Sequence, residues 1–347
     1  MDKKNFLIFG LNYIGDVLML TPAIRALKTK FPESRIFAVV SAEAAPVLHR
    51  NPNVYKVIER KKPKGVSEFF YLYQELKQYN FYACLNFLTS FKFGLLTLFL
   101  SKKRIGLAGS KAGFFFNYKI HDDKLLHNID RAMQFTDIFF LKEKFRSREL
   151  IYNVTDGDLL IAKTLLKNSG LNYNENEDVE IVLFAPGSTR SSKRANPKLF
   201  SSFADYLNRL NIYVLLTGSK DDKLICKGIY ELTENKNRTF DISGISDLYA
   251  LGGLIKLSKL VVAVDNGTMH LASAVGTPVI GLFGSTDPSI CGPVSKKSYI
   301  IDKNSECRHC FLNKCSNPKW SFLKKDYPGC MDLIVLGDLV NGMNTLL

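Results

Sequence analysis

Short apolar runs alternate with helix-period segments along almost the whole chain, and this rhythm restricts the fold more than any other feature. NFLIFGL reads as a strand. Val17 to Lys30 then reads as a helix, with apolar residues at Val17, Leu20, Ile24 and Leu27, the spacing of one helical face. Phe31-Pro32 ends it. RIFAVVS is the next strand, an uninterrupted apolar run of the kind found in parallel sheets covered on both faces. AEAAPVLHRNP is expected as a helix ending at Pro52, VYKVIER as a strand, EFFYLYQELKQY as a helix and FYACLNFL as a strand. Strand–helix–strand repetition with short connections predicts a doubly wound parallel α/β sheet.

The polar, acidic residues Asn172 to Asp178 interrupt the rhythm and read as a linker. The alternation then restarts with VEIVLFAPGS, PKLFSSFADYLNRL, IYVLLTGS, DDKLICKGIYEL, LYALGGLIKLS, KLVVAVDNG, TMHLASAVG and TPVIGLFGS. A length of 347 residues suits two such domains. The expected division is 1–172 and 178–330, with a last apolar-periodic helix in 331–347 packing back on the first domain. Ligands of such sheets bind at the carboxyl ends of the strands, here in a cleft between the two domains.

A chain that is 46% hydrophobic and 23% charged can bury a sizeable core, so disorder is a poor reading of it. The opening MDKKNFLIFGLNYIGD has a short apolar run followed by Gly-Asp and lacks a cleavage pattern. It reads as a first strand, not a signal peptide, and the expected compartment is the cytoplasm. Phe81 to Leu100 is long enough to cross a bilayer, which takes roughly 20 apolar residues. Asn86 and Lys92 sit inside it, however, and Ser90 divides it. A buried strand followed by a buried helix is expected, with the helical half able to lean on a membrane surface. The net charge of +14 favours anionic partners: nucleic acid, acidic lipid or phosphorylated ligands. No nucleic-acid-reading motif accompanies it, so nucleic acid is not an expected partner.

Three turns carry the chemistry. In FGLNYIGDVLML, Gly15-Asp16 opens a helix after the first strand. Asp16 reads equally as a helix cap or as a general base. In VLFAPGSTRSSKRANPKLF, a strand ends at Phe184 and Ser188, Thr189, Arg190, Lys193 and Arg194 follow in a short basic turn. Such a turn suits a diphosphate, although solvated loop charges give the same pattern. In KLVVAVDNGTMHLASAVG, a buried strand delivers Asp265, Asn266, Gly267 and Thr268 to a helix starting near Thr268. Gly267 permits close backbone approach, and the positive helix end suits a phosphate. His270, in the first turn, is a ligand contact or a packed residue. Gly284 to Pro288 forms another polar turn.

The pieces IGDVLMLTPAIRALKTKFP, APGSTRSSKRANP, LLTGSKDD, ISGISDLYALGGLI and VVAVDNGTMHLASAVGTPVIGLFGSTDP, in this order, resemble the ADP-heptose:lipopolysaccharide heptosyltransferases. Tyr13-Ile14-Gly15-Asp16 and TSFKFGLL, which contains Lys92, look more like heptosyltransferase II than heptosyltransferase I. The resemblance covers most of the chain and implies a GT-B fold, two Rossmann-like domains facing across a cleft. It implies an inverting glycosyltransferase that needs no metal cofactor. The first domain would bind a lipid A–Kdo or heptosylated inner-core acceptor, and the second the ADP-heptose donor. Asp16 matches the family's catalytic base with Gly15 beside it, and Lys193 its diphosphate-contacting lysine. Gly267, Thr268 and His270 match the nucleotide-phosphate turn, headed by Asp265 and Asn266. A basic surface would steer such an enzyme to an acidic acceptor at the inner membrane. Lys92, Lys102, Lys103, Arg104 and Lys111 are acceptor-side candidates, each of which also reads as an ordinary surface charge. A transferase using another nucleotide sugar and a nucleotide-sugar-binding protein without turnover are the rival readings.

Two departures stand out. Ala195-Asn196-Pro197 occupies a place where the family often has Trp-Pro, and Lys220-Asp221-Asp222 follows Gly218-Ser219 where many members place a ribose-binding Glu. Cys307, Cys310, Cys315 and Cys330 cluster near the end of the chain. They read as a structural zinc site, as reduced thiols, or as a redox pair. Cys84, Cys226 and Cys291 read as small core residues.

Overall fold

The computed structural model describes residues 3–60, 66–140, 147–171, 179–316 and 327–347. The chain divides into two compact units, Met1–Asn153 and Val154–Leu347. The segment 172–178, expected as a linker, lies outside the described residues.

The first unit holds six parallel strands: β1 (Asn5–Phe9), β2 (Arg35–Ser41), β3 (Lys56–Arg60), β4 (Ala83–Asn86), β5 (Lys103–Leu107) and β6 (Tyr118–Ile120). Their order is β3-β2-β1-β4-β5-β6. The helices are α1 (Ile14–Lys30), α2 (Val66–Leu76), α3 (Phe91–Leu100) and α4 (Asn128–Asp137). The central strands are apolar along most of their length because helices cover both faces. All four residues of β4 are buried, whereas the edge strand β6 exposes Tyr118 and Lys119. On one face, Leu72 and Leu76 of α2 and Phe93, Leu96 and Leu100 of α3 pack on Leu7, Phe9, Phe37 and Val39. Each fully buried side chain of this size contributes roughly 1.5–3 kcal/mol. α1 packs against α4.

The segment weighed as a membrane span is therefore β4 followed by α3. Among the described residues no helix is long and apolar enough to cross a membrane. AEAAPVLHRNP does not form the expected helix. Only Ala45–Val47 makes a 3₁₀ turn, with Pro46 at its start. Ala44, Ala45, Val47 and Leu48 are buried around that turn, while Glu43, His49 and Arg50 are exposed.

The second unit repeats the plan with β7 (Ile181–Ala185), β8 (Tyr213–Leu216), β9 (Thr239–Asp241), β10 (Leu260–Val264), β11 (Val279–Phe283) and β12 (Ser298–Asp302). These are also parallel, in the order β12-β11-β10-β7-β8-β9. Counted from the start of each unit, both sheets follow the dinucleotide-fold order 3-2-1-4-5-6. The helices are α5 (Asp156–Asn168), α6 (Pro197–Arg209), α7 (Lys223–Leu232), α8 (Leu248–Leu257), α9 (Gly267–Val275) and α10 (Leu336–Leu346). Phe200 and Phe203 of α6 pack their rings on Phe184 of β7, 5.5 and 5.7 Å between centroids.

α5 opens on a capping box, Thr155 with Asp158, and packs along α8. Gly253 makes this possible, because a Cβ there would overlap the Asp158 carbonyl oxygen. The second unit thus begins at Val154, ahead of the boundary expected at 172. The last helix, α10, lies on β11, β12 and α6 of its own unit, where Leu339 and Met343 join the core.

Candidate active site

In each sheet the strand order reverses at one point, beside β1 and β4 in the first unit and beside β7 and β10 in the second. Turns leaving those strands diverge and open a crevice, the usual ligand position in such folds. Asp16, the Ser188–Arg194 group and Asp265–His270 sit at these turns, whereas Gly218 follows β8, Lys92 lies in α3, and Lys103 and Arg104 lie in β5.

In the first unit β1 runs through Gly10–Tyr13 into α1. The helix begins at Ile14, earlier than its apolar periodicity indicated, and Tyr13 is its N-cap residue with no side-chain cap bond. Asp16 is therefore not the cap. It stands half-buried in the first turn after Gly15, where the helix dipole favours a carboxylate by about 0.3–1 kcal/mol. Beyond β4 the Asn86 side chain accepts from the Leu88 N–H (2.9 Å) and turns the chain toward α3. Lys92 is engaged at home, its ammonium paired with the buried Glu68 of α2. Lys103 donates to the Tyr82 hydroxyl (2.6 Å). Arg104 donates to the carbonyls of Phe115, Ser101 and Lys102 at 2.7–3.2 Å. These three side chains tie the unit together, while Lys102 and Lys111 are exposed.

In the second unit β7 runs into a basic turn. Ser188 is buried and Thr189 exposed. The Ser188 carbonyl accepts from Arg194 Nε (3.0 Å), and the Ser188 hydroxyl accepts weakly from the Arg190 N–H (3.4 Å). Ser191–Lys193 form a 3₁₀ turn. Asn196 caps α6 by accepting from the Lys198 N–H (3.0 Å), with Pro197 opening the helix. The departure from Trp-Pro thus leaves a well-made helix start.

β10 ends at Val264, and α9 starts at Gly267 with Asn266 as its cap. Asn266 Oδ1 accepts from the Met269 N–H (3.1 Å), and Nδ2 donates to the carbonyls of Ala185 (3.0 Å) and Gly187 (2.8 Å). One side chain therefore joins the β10 turn to the β7 turn. The Gly267 and Thr268 N–H groups lie in the first helical turn, which has no intrahelical acceptors. His270 is buried in the same helix.

Lys193 Nζ donates to Asp265 Oδ2 at 2.6 Å, and Thr286 Oγ1 donates to the same oxygen at 2.7 Å. The Cys291 thiol lies 3.5 Å from it. Burial on its own pushes the Asp265 carboxyl up. The charges of Lys193 and His270, with the bonds from Lys193 and Thr286, outweigh burial and hold it below its ordinary 3.8. The result is an ionised carboxylate fixing one ammonium beside the amino end of α9. A pre-set positive charge at that end suits a phosphorylated ligand.

Three participants were not identified from the sequence. Thr286 lies in a turn noted only as polar, and Cys291 reads as core. Asp222, set aside with Lys220 and Asp221, fills the space between two turns. Its Oδ2 accepts from the Ser219 N–H (2.8 Å) and hydroxyl (2.7 Å). A Cβ at Gly187 would collide with this carboxyl, and one at Gly218 would lie 2.6 Å from Asp222 Cβ. Both glycines are thus required by the close approach of one carboxylate.

All seven cysteines are thiols. Cys84, Cys226, Cys291 and Cys330 are buried, Cys307 and Cys315 are half-exposed, and Cys310 is exposed. Burial, then the nearby thiols of Cys307, Cys315 and Cys310, push Cys330 up to about 12. Among the described residues no group of three or more His, Cys, Asp and Glu side chains is arranged to hold a metal ion. The zinc reading therefore gains no ligand set there. His309 meets Asp302 through Nε2 (2.9 Å). The His309 and Phe311 N–H groups donate to the carbonyls of Gly284 (2.8 Å) and Ser285 (2.7 Å). The Asn313 carbonyl accepts from the Ser192 N–H (3.3 Å), and the Leu312 carbonyl accepts from the Ser192 hydroxyl. The cysteine-bearing segment braces the turn that carries Lys193.

Two doubly wound parallel units, each with charged turns at its switch point, make this a GT-B-like fold. Residues 69–321 match glycosyltransferase family 9 (heptosyltransferase), and the chain belongs to that family. It is 25% identical over 310 residues to the lipopolysaccharide core heptosyltransferase OpsX of Haemophilus influenzae, covering 87% of this chain and 85% of that protein. It is 27% identical over 308 residues to lipooligosaccharide heptosyltransferase 2 of Haemophilus ducreyi, covering 85% and 87%. Among solved structures, a family 9 glycosyltransferase from Veillonella parvula superposes with a TM-score of 0.84 at 20% identity, covering 100% of this chain and 98% of that one. ADP-heptose LPS heptosyltransferase II of E. coli gives 0.79 at 21%, covering 99% and 98%.

Proposed function

We propose that this glycosyltransferase moves heptose from ADP-heptose to a hydroxyl of the lipopolysaccharide inner core with inversion at the anomeric carbon. The supporting observation is the Lys193–Asp265 pair, fixed beside the amino end of α9 in a family 9 chain. The second unit holds the donor. The α9 N–H groups and Lys193 receive its diphosphate, with Ser188, Thr189, Arg190, Arg194, Gly218 and His270 around it. Asp265 and Asn266 position the two turns.

The first unit holds the acceptor, lipid A–Kdo or a heptosylated inner core, and supplies the base. Asp16 takes the proton from the acceptor hydroxyl as its oxygen bonds to the anomeric carbon. The bond from that carbon to the diphosphate oxygen breaks, and ADP leaves with the electron pair. One positioned carboxylate contributes about 10²–10⁴-fold to such a step. The leaving charge is met by Lys193 and the helix end. The enzyme works in the cytoplasm, peripherally at the inner membrane.

Calorimetric titration with ADP and ADP-heptose, against UDP and GDP and in EDTA, tests the donor. Selective adenine-nucleotide binding in EDTA is expected. Preference for UDP or GDP would keep the fold and overturn the substrate, and a requirement for metal would overturn the charge assignment.

A further inference from the structure

We propose that the outward faces of α2 and α3, with the turn at Phe114, form a docking surface for an anionic lipid bilayer. The proposal rests on the reading above only in that a lipid-linked acceptor gives the enzyme a reason to sit on a membrane.

Apart from Lys92 and Thr97, α3 is apolar all round, but it is buried on only one side. Phe93, Leu96 and Leu100 face the sheet. Phe91, Leu95, Leu98 and Phe99 recur at the spacing of a single helical face, and that face points outward, with Leu95 partly covered. Phe91 and Phe99 are 57% and 58% exposed, and Phe114 is 90% exposed. Ring contacts join these residues into one surface. Phe91 meets Phe115, which meets Phe114. On the other flank Phe99 meets Phe69 and Tyr73 of α2, and Phe69 meets the exposed Phe70. Gly94 lets Ala112 and Phe115 approach α3 closely. A contiguous exposed apolar patch of this kind marks an interaction site.

The rim selects the occupant. Lys77, Lys102 and Lys111 are exposed at its edges. Lys77 lies over the Tyr73 ring, Lys102 follows the end of α3, and Lys111 precedes the turn packed on Gly94. The nearby acids of α2 are already neutralised, Glu68 by Lys92 and Glu75 by Lys56. Aromatic side chains at the apex with lysines around them match the apolar and anionic layers of a bilayer interface. A protein partner would instead need acidic groups around an apolar socket, and a second copy of this surface would set lysines against lysines.

Flotation of the full chain with vesicles of phosphatidylethanolamine and phosphatidylglycerol, against phosphatidylcholine alone, tests this. The wild type should bind the anionic vesicles, less so as salt rises. Phe99→Ser with Phe114→Ser should weaken that binding about tenfold or more. The same variant should keep ADP binding and transfer to a soluble, deacylated acceptor, which separates this inference from the proposed activity. Lys102→Glu with Lys111→Glu should abolish the preference for anionic lipid. Phe114→Trp should shift its emission to the blue on addition of anionic vesicles, beyond any change from the native Trp320. Failure of the wild type to float, or equal flotation of the serine variant, would overturn the proposal. So would self-association abolished by the serine pair in a protein that ignores vesicles.

Discussion

Lys193 Nζ lies 2.6 Å from Asp265 Oδ2, across 72 residues of sequence, with side-chain exposures of 17% and 6%. The pair joins the turn after β7 to the turn after β10, the two strands at the switch point of the second sheet. The charge proposed to meet the diphosphate is therefore set in place by the protein's own carboxylate. Asp265→Asn should leave that ammonium without its counter-ion and cost about 3 kcal/mol, the lower end for a broken buried pair because Lys193 keeps some solvent. Transfer should fall as well. Lys193→Met combined with Asp265→Asn should cost less than the two single changes summed, since each removes the same bond. Urea unfolding of the four proteins in that cycle checks this, and strict additivity would show that the pair is not coupled.

The same carboxyl predicts an acid limb. Asp265 is held below its ordinary value in the folded chain. A group depressed on folding contributes stability that is complete above its unfolded pKa, about 3.9, and is lost as pH falls through the folded value. Between neutral pH and about pH 4 its contribution should be constant, and below that it should decline. Unfolding curves for wild type and Asp265→Asn should therefore converge in acid. Curves that stay parallel from neutral pH down would contradict the assignment.

Thiol chemistry should divide the cysteines. Burial pushes up the thiols of Cys84 and Cys291, and pushes Cys226 and Cys330 up to about 12. A buried thiol that resists ionisation reacts slowly, because the thiolate is the nucleophile. In the native protein an aromatic disulfide reagent should label Cys310 first, then Cys307 and Cys315. The four buried cysteines should react only on unfolding. Rapid labelling of Cys330 in the native state, read by peptide mass, would show that the segment 307–316 opens freely.

Gly253 offers a packing test away from the site. Its missing side chain lets α8 touch the backbone of α5 at Asp158. Gly253→Val should force the helices apart and cost about 1–3 kcal/mol. Thermal melts should drop while ADP affinity stays within about twofold, because neither helix carries a proposed ligand contact. An unchanged melt would mean that α5 is held less closely than described.

Much of this was legible in the sequence because central parallel strands must be apolar on both faces. RIFAVVS is β2 residue for residue, and KLVVAVDNG contains β10 and its turn. Edge strands escape the same reasoning. β6 (YKI) exposes two of its three residues and has no apolar run to find. AEAAPVLHRNP misleads in the opposite way, since its apolar residues are buried by a turn. At the site, Asp265 to Thr268 were found because a buried strand ending at a helix start leaves a local signature. The partners Thr286, Cys291 and Asp222 were not, because closeness between turns of different strands has no local pattern. Lys92 shows the limit for charges. Its pairing with Glu68 depends on how α2 lies beside α3.

The measurement closest to the central claim is transfer from ADP-heptose to a deacylated inner-core acceptor in EDTA, comparing wild type with Asp16→Asn. Product linkage is read by NMR and ADP binding by calorimetry. The wild type should give an inverted linkage. The variant should lose about 10²–10⁴-fold in kcat and keep its ADP affinity. A retained anomeric configuration, or a variant that transfers at the wild-type rate, would contradict it.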